Sequence, residues 1–281
     1  MKNIIRVIIP ALILIGCSGK VNSDKEEKKE SVSELTYIIE HYWENVNFKM
    51  PRERADSDRF EQTFVDYLPL LSLAGDTLRK EGVKNLLQKA RQDTAMYKWI
   101  VNLAYHYLYD PNSPMLNETL YRPFLEVMVE NPFPDETSSL RAAFQLEEVR
   151  KNNPGDMAPD FIFETREGLT KRLYDINGSE HIMLIFYDPE CDHCEEVMGR
   201  ISNNPEINED INTGFLTILA VSSGNDRRKW QQKSPYLPSN WIVGYENGDL
   251  EDDGRYVLRA SPTIFLLDAD KKILIKDMLV P

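Results

Sequence analysis

Two cysteines three positions apart, Cys191 and Cys194, are the residues whose type and spacing best suit chemistry. They follow an apolar run, 182–187, which predicts a buried strand, and a break at 188–190. A helix is expected to begin near Asp192, and a thiol at a helix N-terminus is stabilised as a thiolate by the helix dipole. A thiol one turn later lies within bridging reach. Strand, turn, Cys-x-x-Cys and helix together predict a redox-active dithiol.

Two other interpretations of this cysteine pair are a zinc half-site and a static disulfide. Zinc needs about four ligands. The chain has only three cysteines and four histidines, with no second cysteine pair. The sequence therefore disfavours zinc, and it predicts neither a metal nor a cofactor.

Charged residues around the cysteines are expected to tune them. Glu190, Asp192 and His193 are interpreted as tuning residues. A protonated His193 would stabilise a thiolate at Cys191, whereas nearby carboxylates oppose it by like-charge repulsion. The carboxylates that flank the pair are Asp188, Glu190, Asp192, Glu195 and Glu196. Five carboxylates against one imidazole predict a poor thiolate, and hence a reductant rather than an oxidant.

The first sixteen residues have the features of a signal peptide, with Lys2 and Arg6 before an apolar stretch at 4–15. This stretch is too short for a transmembrane helix. Leu14-Ile15-Gly16-Cys17 resembles the lipobox of bacterial lipoproteins, and the resemblance implies cleavage before Cys17 and attachment of lipid to it. An ordinary cleaved signal followed by a spare thiol is the alternative.

Residues 17–32 are polar and rich in charge, which predicts a flexible tether. The folded part would then be lipid-anchored in the cell envelope, facing the periplasm or the cell surface, where conditions are oxidising. The formal net charge of -13 argues against nucleic acid as a partner and against binding anionic lipid by charge.

Residues 33–151 show apolar residues at helical spacing and no strand-like alternation, which predicts an all-α domain without a catalytic constellation. The predicted helices are at 32–48, 59–73, 77–91, about 96–107, 118–130 and 136–151. From residue 152 to 281 short strands alternate with helices. Their order and a closing hairpin predict an α/β sandwich around a mixed sheet.

Residues 155–277 resemble the thioredoxin-like superfamily, in its TlpA/ResA-like branch. The resemblance is carried by the stretch at 155–161, the Cys191–Cys194 motif and Ser261-Pro262-Thr263. Residues 33–151 resemble the helical domain of unknown function that precedes thioredoxin-like domains in some lipoproteins of anaerobic Gram-negative bacteria. The resemblance implies a cis Ser261–Pro262 bond that faces the dithiol and binds an extended substrate strand.

Three positions depart from this family's pattern. Glu190 replaces the tryptophan that often precedes the first cysteine, and Ile185 and Val197 stand where relatives carry carboxylates. No proton acceptor for Cys194 is therefore assigned. The family usually adds a helix after the final hairpin, whereas this sequence stops at Met278-Leu279-Val280-Pro281. We therefore expect the all-α domain to cover the face of the sheet on which that helix would pack.

The sequence thus predicts a membrane-anchored thiol–disulfide oxidoreductase in which Cys191 attacks and Cys194 resolves. Its partners would be protein or small thiol and disulfide substrates, with an electron donor or acceptor whose identity is unknown. A peroxiredoxin is disfavoured because no threonine or serine lies three residues before either cysteine. The alternative from another class is a partner-binding or scaffold lipoprotein with a non-catalytic thioredoxin-like domain.

Overall fold

The computed structural model describes residues 33–51, 53–223, 226–248, 250 and 253–279. The predicted signal peptide, Cys17 and the tether lie outside the described residues. Contacts divide the chain into two compact units, one ending at Gln92 and one beginning at Asp93.

The first unit contains helices α1 at 33–41, α2 at Arg54–Leu73 and α3 at Asp76–Ala90. Helix α1 ends earlier than predicted, and a turn follows at 42–45. This turn lets Trp43 and Phe48 both pack against Phe60, with ring centroids 5.8 and 6.1 Å apart. The aromatic cluster therefore sets the end of the helix. Helix α2 begins earlier than predicted and continues through Pro69.

The second unit begins with helices α4 at Thr94–Leu108, α5 at Glu118–Glu130 and α6 at Glu136–Val149. Each begins after an Asp or Asn whose side chain accepts a backbone N–H of the first turn, at Asp93, Asn117 and Asp135. These caps explain why the observed starts agree with the predicted ones within two residues. Among the described helices, none combines the length and hydropathy needed to cross a bilayer.

A seven-stranded mixed sheet completes this unit, in the order β2-β1-β5-β4-β3-β6-β7. The strands are β1 Ile162–Thr165, β2 Thr170–Arg172, β3 His181–Tyr187, β4 Leu216–Ser222, β5 Ile242–Tyr245, β6 Thr263–Asp268 and β7 Ile273–Ile275. The helices are α7 Asp192–Ser202, α8 Pro205–Asn212 and α9 Arg227–Lys233. Strand β3 pairs in parallel with β4 and antiparallel with β6. The side chains of 182–187 alternate between apolar clusters on the two faces of the sheet, which explains why this stretch is continuously apolar. The predicted order of an all-α region before an α/β sheet is confirmed.

Strand β2 and helix α8 were not predicted. Strand β2 has the sequence Thr-Lys-Arg and a largely exposed surface, so it carries no apolar signal. It forms by pairing with β1. Helix α8 is eight residues long and mostly polar, with Ile207 as its buried residue. Elements that bury so little apolar surface leave little periodicity in the sequence.

Both faces of the sheet are covered by residues that follow α6. Helices α7, α8 and α9 pack on one face, through residues such as Met198, Ile207 and Trp230. On the other face, every buried member of the described cluster lies between Ala158 and Ile273. The expectation that the all-α domain covers this face is therefore wrong. The segments near Leu173 and Tyr256 fill the space instead.

Candidate active site

Cys191 lies at the N-cap of α7, where the chain leaves the central strand β3. A tight turn places it there, because its N–H donates to the Asp188 carbonyl at 3.2 Å and Glu190 N–H donates to the Asp188 carboxylate at 2.8 Å. The Cys191 Sγ accepts the backbone N–H of Cys194 at 3.1 Å. Cys191 is partly exposed, and both cysteines are free thiols. Its position at the start of α7 is the one predicted from the sequence.

Cys194 differs sharply from Cys191 in its surroundings. It is 1% exposed and belongs to the apolar cluster under α7. Burial, followed by its hydrogen bond with the Cys191 thiol, raises the pKa of Cys194 from 9.0 to about 12. At neutral pH Cys194 is thus a protonated, shielded thiol beside an accessible one.

Ser261 and Pro262 lie against the dithiol. The Ser261 carbonyl oxygen is 3.5 Å from the Cys191 Sγ, and the Ser261–Pro262 bond is cis. The Ser261 side chain acts on the other cysteine, because its hydrogen bond lowers the pKa of Cys194 against the effect of burial. Strand β6 begins at the next residue and pairs with β3, which explains why residues 70 positions apart meet. The structure therefore brings together the predicted catalytic and substrate-binding residues.

The three predicted tuning residues are all exposed around the start of α7, but their partners were not anticipated. Glu190 forms an ion pair with Lys229, and this contact raises the pKa of Lys229. His193 Nδ1 lies 4.0 Å from the Glu196 carboxylate. Asp192 is the first residue of α7.

Sequence reasoning missed two lysines of α9 that reach this surface. Lys229 pairs with Glu190, and Lys233 Nζ lies 3.7 Å from the Glu195 carboxylate. The surroundings of the dithiol are therefore less acidic than the five carboxylates that flank the cysteines in the sequence had suggested. A topological signal was available, because helices that follow adjacent parallel strands begin at the same edge of the sheet.

A groove of about 420 Å³ opens beside both thiols. Its lining includes Cys191, Cys194, Tyr187, Met198, Tyr236 and Leu237. Tyr236 is 87% exposed, whereas Tyr187 is buried. Burial raises the pKa of Tyr187, so its hydroxyl remains a neutral donor. The groove thus combines apolar side chains with polar and charged ones, which are Asp188, Glu195, Ser202 and Lys233.

Ile185 and Val197, which stand where relatives carry carboxylates, are both buried in the apolar cluster around Cys194. Among the described residues, no group of three or more His, Cys, Asp or Glu is arranged to hold a metal ion. A wider open depression of about 980 Å³ lies among α4, α5 and α6, but neither cysteine lines it. The chemistry of the dithiol therefore belongs to the smaller groove.

Two family models match the chain. Residues 27–152 match a domain of unknown function, DUF5106, and residues 169–276 match a thioredoxin-like domain. No curated protein matches the chain.

Several solved structures are similar to the chain. A thioredoxin-like protein from Bacteroides caccae is 30% identical, with 88% of this chain and 89% of that chain covered and a TM-score of 0.77. A conserved protein of unknown function from Bacteroides fragilis is 35% identical over 46% of this chain and 93% of its own, with a TM-score of 0.44. The thioredoxin domain of a thiol-disulfide oxidoreductase from Bacteroides vulgatus is 22% identical over 46% of this chain and 90% of its own, with a TM-score of 0.41.

Because the match to the Bacteroides caccae protein covers 88% of this chain, it includes residues of both the helical region and the sheet. The two family models fall in the same order as the all-α region and the α/β sheet. With Cys-x-x-Cys at the start of α7 and Ser261–Pro262 beside it, this chain belongs to the thioredoxin-like proteins, and a DUF5106 domain precedes its thioredoxin-like domain.

Proposed function

We propose that this protein is a thiol–disulfide oxidoreductase that reduces protein disulfides through Cys191 and Cys194. The observation that carries the proposal is the difference between the two thiols. Cys191 is accessible at a helix N-cap, whereas Cys194 is buried, protonated and one turn away. A nucleophile must reach its substrate, and a resolving thiol must reach the nucleophile.

The reaction has two exchange steps. The Cys191 thiolate attacks one sulfur of a substrate disulfide, forms a mixed disulfide and releases the other sulfur as a thiolate, which takes up a proton. Cys194 then loses its proton and attacks the Cys191 Sγ, which releases the second substrate thiol and leaves a Cys191–Cys194 disulfide. Two electrons pass to the substrate, and an external dithiol of unknown identity restores the reduced protein.

The direction of electron flow is inferred from Cys194. A thiol that its surroundings stabilise as a thiolate favours the reduced protein and makes it an oxidant. Cys194 has no such stabilisation, because burial raises its pKa to about 12 and keeps the thiol protonated. The feature that makes an oxidant is absent at this cysteine, and we infer a reductant on that ground, since the lysines of α9 weaken the argument from neighbouring carboxylates.

We also propose that lipid on Cys17 holds the protein in the cell envelope, with the folded part facing the periplasm or the cell surface. The support is the lipobox-like Leu14-Ile15-Gly16-Cys17 and the polar stretch that follows it. An oxidising compartment supplies disulfide substrates for such a reductant.

Trapping variants test the proposed activity. Cys194→Ser keeps the nucleophile but removes the resolving step, so mixed disulfides with substrates should accumulate on non-reducing gels. Cys191→Ser is the matched control and should trap nothing. The couple, equilibrated with glutathione, should have a potential more negative than about −180 mV.

Equal trapping by both variants would show that the two roles are reversed. A potential near that of the strong periplasmic oxidants, about −120 mV, would contradict the direction. If neither variant traps a partner and the wild-type protein does not accelerate reduction of insulin disulfides, the alternative of a partner-binding lipoprotein is supported instead.

A further inference from the structure

Arg259, which lies two residues before Ser261, belongs to a buried cluster of four charged side chains. The other three members are Glu118, Lys276 and Asp277. The Arg259 guanidinium forms an ion pair with Glu118 at 2.9 Å and donates a hydrogen bond to the Asp277 carboxylate at 2.5 Å. It also stacks 4.2 Å above the centre of the Tyr109 ring and donates to the Tyr109 carbonyl at 3.3 Å. Its side chain is 11% exposed. Arg259 therefore links the loop that contains Ser261 and Pro262 to the helices that precede the sheet.

Glu118 is the residue on the helical side of this cluster. It is the first residue of α5, and its side chain is 11% exposed. Its second carboxylate oxygen accepts a hydrogen bond from Lys276 Nζ at 2.7 Å. Two cations and two anions thus balance within the cluster. Removing one partner of a buried ion pair leaves an uncompensated charge, so these contacts strongly favour one arrangement of the loop.

The charged cluster holds two segments of the chain that reach the dithiol or its apolar surroundings. Arg259 precedes Ser261, whose carbonyl oxygen lies 3.5 Å from the Cys191 Sγ. Asp277 precedes Met278, whose N–H donates to the Ile264 carbonyl at 2.9 Å and whose side chain packs against the cluster containing Cys194. Two short segments, 259–261 and 277–278, therefore connect the contacts of Glu118 with the surroundings of the dithiol.

A second set of contacts supports the same segment just upstream. Asn152, which follows α6, accepts the Val257 N–H at 3.0 Å and donates to the Arg255 carbonyl at 3.0 Å. Lys151 Nζ donates to the Gly254 carbonyl at 2.9 Å. The backbone from 254 to 259 is thus held by residues on and directly after the helices.

We propose that Glu118, acting through Arg259, is a positioning residue for the dithiol, and that it keeps the Ser261–Pro262 loop against Cys191. The last helices of the DUF5106 region would then set the reactivity of the redox site. The catalytic meaning of this inference rests on the proposed function, but the reactivity of Cys191 is measurable whether or not the protein reduces any substrate.

The test compares Glu118→Gln, Arg259→Gln and the double variant in the full chain. The matched control is Arg172→Gln, which removes an ion pair with Asp160 at β2, the far edge strand of the sheet. Three quantities are measured. The first is the alkylation rate of Cys191 in the reduced protein, which is monitored by the mass of the Cys191 peptide. The others are the redox potential of the couple against glutathione and the melting temperature.

We expect each single variant to accelerate alkylation of Cys191 by between about twofold and thirtyfold, because the Ser261 carbonyl is no longer held against the sulfur. The redox potential should shift with it. Since the two residues act as one unit, the double variant should exceed the larger single effect by less than about twofold. Arg172→Gln should leave both the rate and the potential unchanged.

If Glu118→Gln melts earlier but leaves the alkylation rate and the potential of the folded protein unchanged, Glu118 has only a structural role and the inference is wrong. Should Glu118→Gln fail to fold, Glu118→Asp keeps the charge with a shorter reach and must still accelerate alkylation. A shift in Cys191 reactivity without any trapped substrate would instead count against the proposed function alone.

Discussion

At the scale of single residues, two identical side chains three positions apart acquire different properties. Cys191 is an N-cap whose sulfur accepts a helical N–H, whereas Cys194 lies inside an apolar cluster. Ile185 and Val197 make that cluster apolar, and they are the same residues that remove the carboxylates found in relatives. These apolar surroundings have a direct consequence, which is that the buried Cys194 thiol holds its proton strongly.

This asymmetry predicts the pH dependence of alkylation. Because the pKa of Cys194 is raised from 9.0 to about 12, its thiolate fraction should keep rising throughout the range from pH 9 to pH 11. The native reduced protein, followed at the Cys194 peptide, should show no plateau in that range. In urea the same peptide should approach a plateau above about pH 10, because an unperturbed thiol titrates near pH 8.5.

The sign of the linked stability follows from the same shift. A raised pKa in the folded state means that the native reduced protein binds this proton more tightly than the unfolded chain does. The resulting stabilisation is complete below pH 9 and is lost as pH rises towards about 12. A native Cys194 alkylation rate that already levels off at about pH 10, as in urea, would contradict the raised pKa of this buried thiol.

At the scale of elements, two strand–helix pairs build the site. Strand β3 leads to α7 and strand β4 leads towards α9, and the two strands are parallel neighbours. Both helices therefore begin at the same edge of the sheet, where Lys229 meets Glu190. Strand β6 runs in the opposite direction beside β3, so its start brings Ser261 to that edge as well.

Two glycines in this part of the chain predict opposite effects of one substitution. A Cβ at Gly244 in β5 would lie 2.5 Å from the Phe163 ring, whereas a Cβ at Gly199 in α7 would meet nothing within 4 Å. Gly244→Ala should lower the free energy of unfolding by about 1–3 kcal/mol through overpacking. Gly199→Ala should raise it by about 0.5–1 kcal/mol, because glycine inside a helix is entropically costly.

Urea unfolding of the two variants beside the wild-type protein measures both changes, and each variant serves as the control for the other. An unchanged free energy of unfolding for Gly244→Ala would show that β1 and β5 pack less closely than described. A lower free energy of unfolding for Gly199→Ala would show that another group lies within contact distance of a Cβ at residue 199.

At the scale of the whole molecule, the boundaries of families and of compact units differ. The DUF5106 match ends at residue 152, but the division into compact units falls after Gln92. Helices α4, α5 and α6 therefore belong to the same compact unit as the sheet. The buried contacts of Glu118 with Arg259 and Lys276 provide a physical reason for this grouping.

The proposed lipid anchor makes a prediction at the same scale. Cys17→Ser removes the thiol that would carry lipid and leaves the sequence of the described residues unchanged. The variant should therefore move from the membrane fraction to the soluble fraction of disrupted cells while its dithiol keeps the wild-type alkylation rate. Cys191→Ser is the matched control and should stay with the membranes. Retention of Cys17→Ser in the membrane fraction would contradict the anchor.

The amino-acid sequence by itself determined the features that depend on neighbours along the chain. The helical spacing of apolar residues placed α4, α5 and α6, and a continuous apolar run placed β3. The break before Asp192 located the start of α7 and hence Cys191. These patterns are readable because periodicity and caps act over a few residues.

Only the tertiary structure decided the features that depend on residues far apart in sequence. Lys229 and Lys233 reach the dithiol because β3 and β4 are adjacent, and the second face of the sheet is covered by segments near Leu173 and Tyr256. Glu118 and Arg259 meet across 141 positions, and neither has any periodicity that predicts the other. Strand order and packing select such pairs, because many alternative partners satisfy the same local patterns and only one arrangement buries them together.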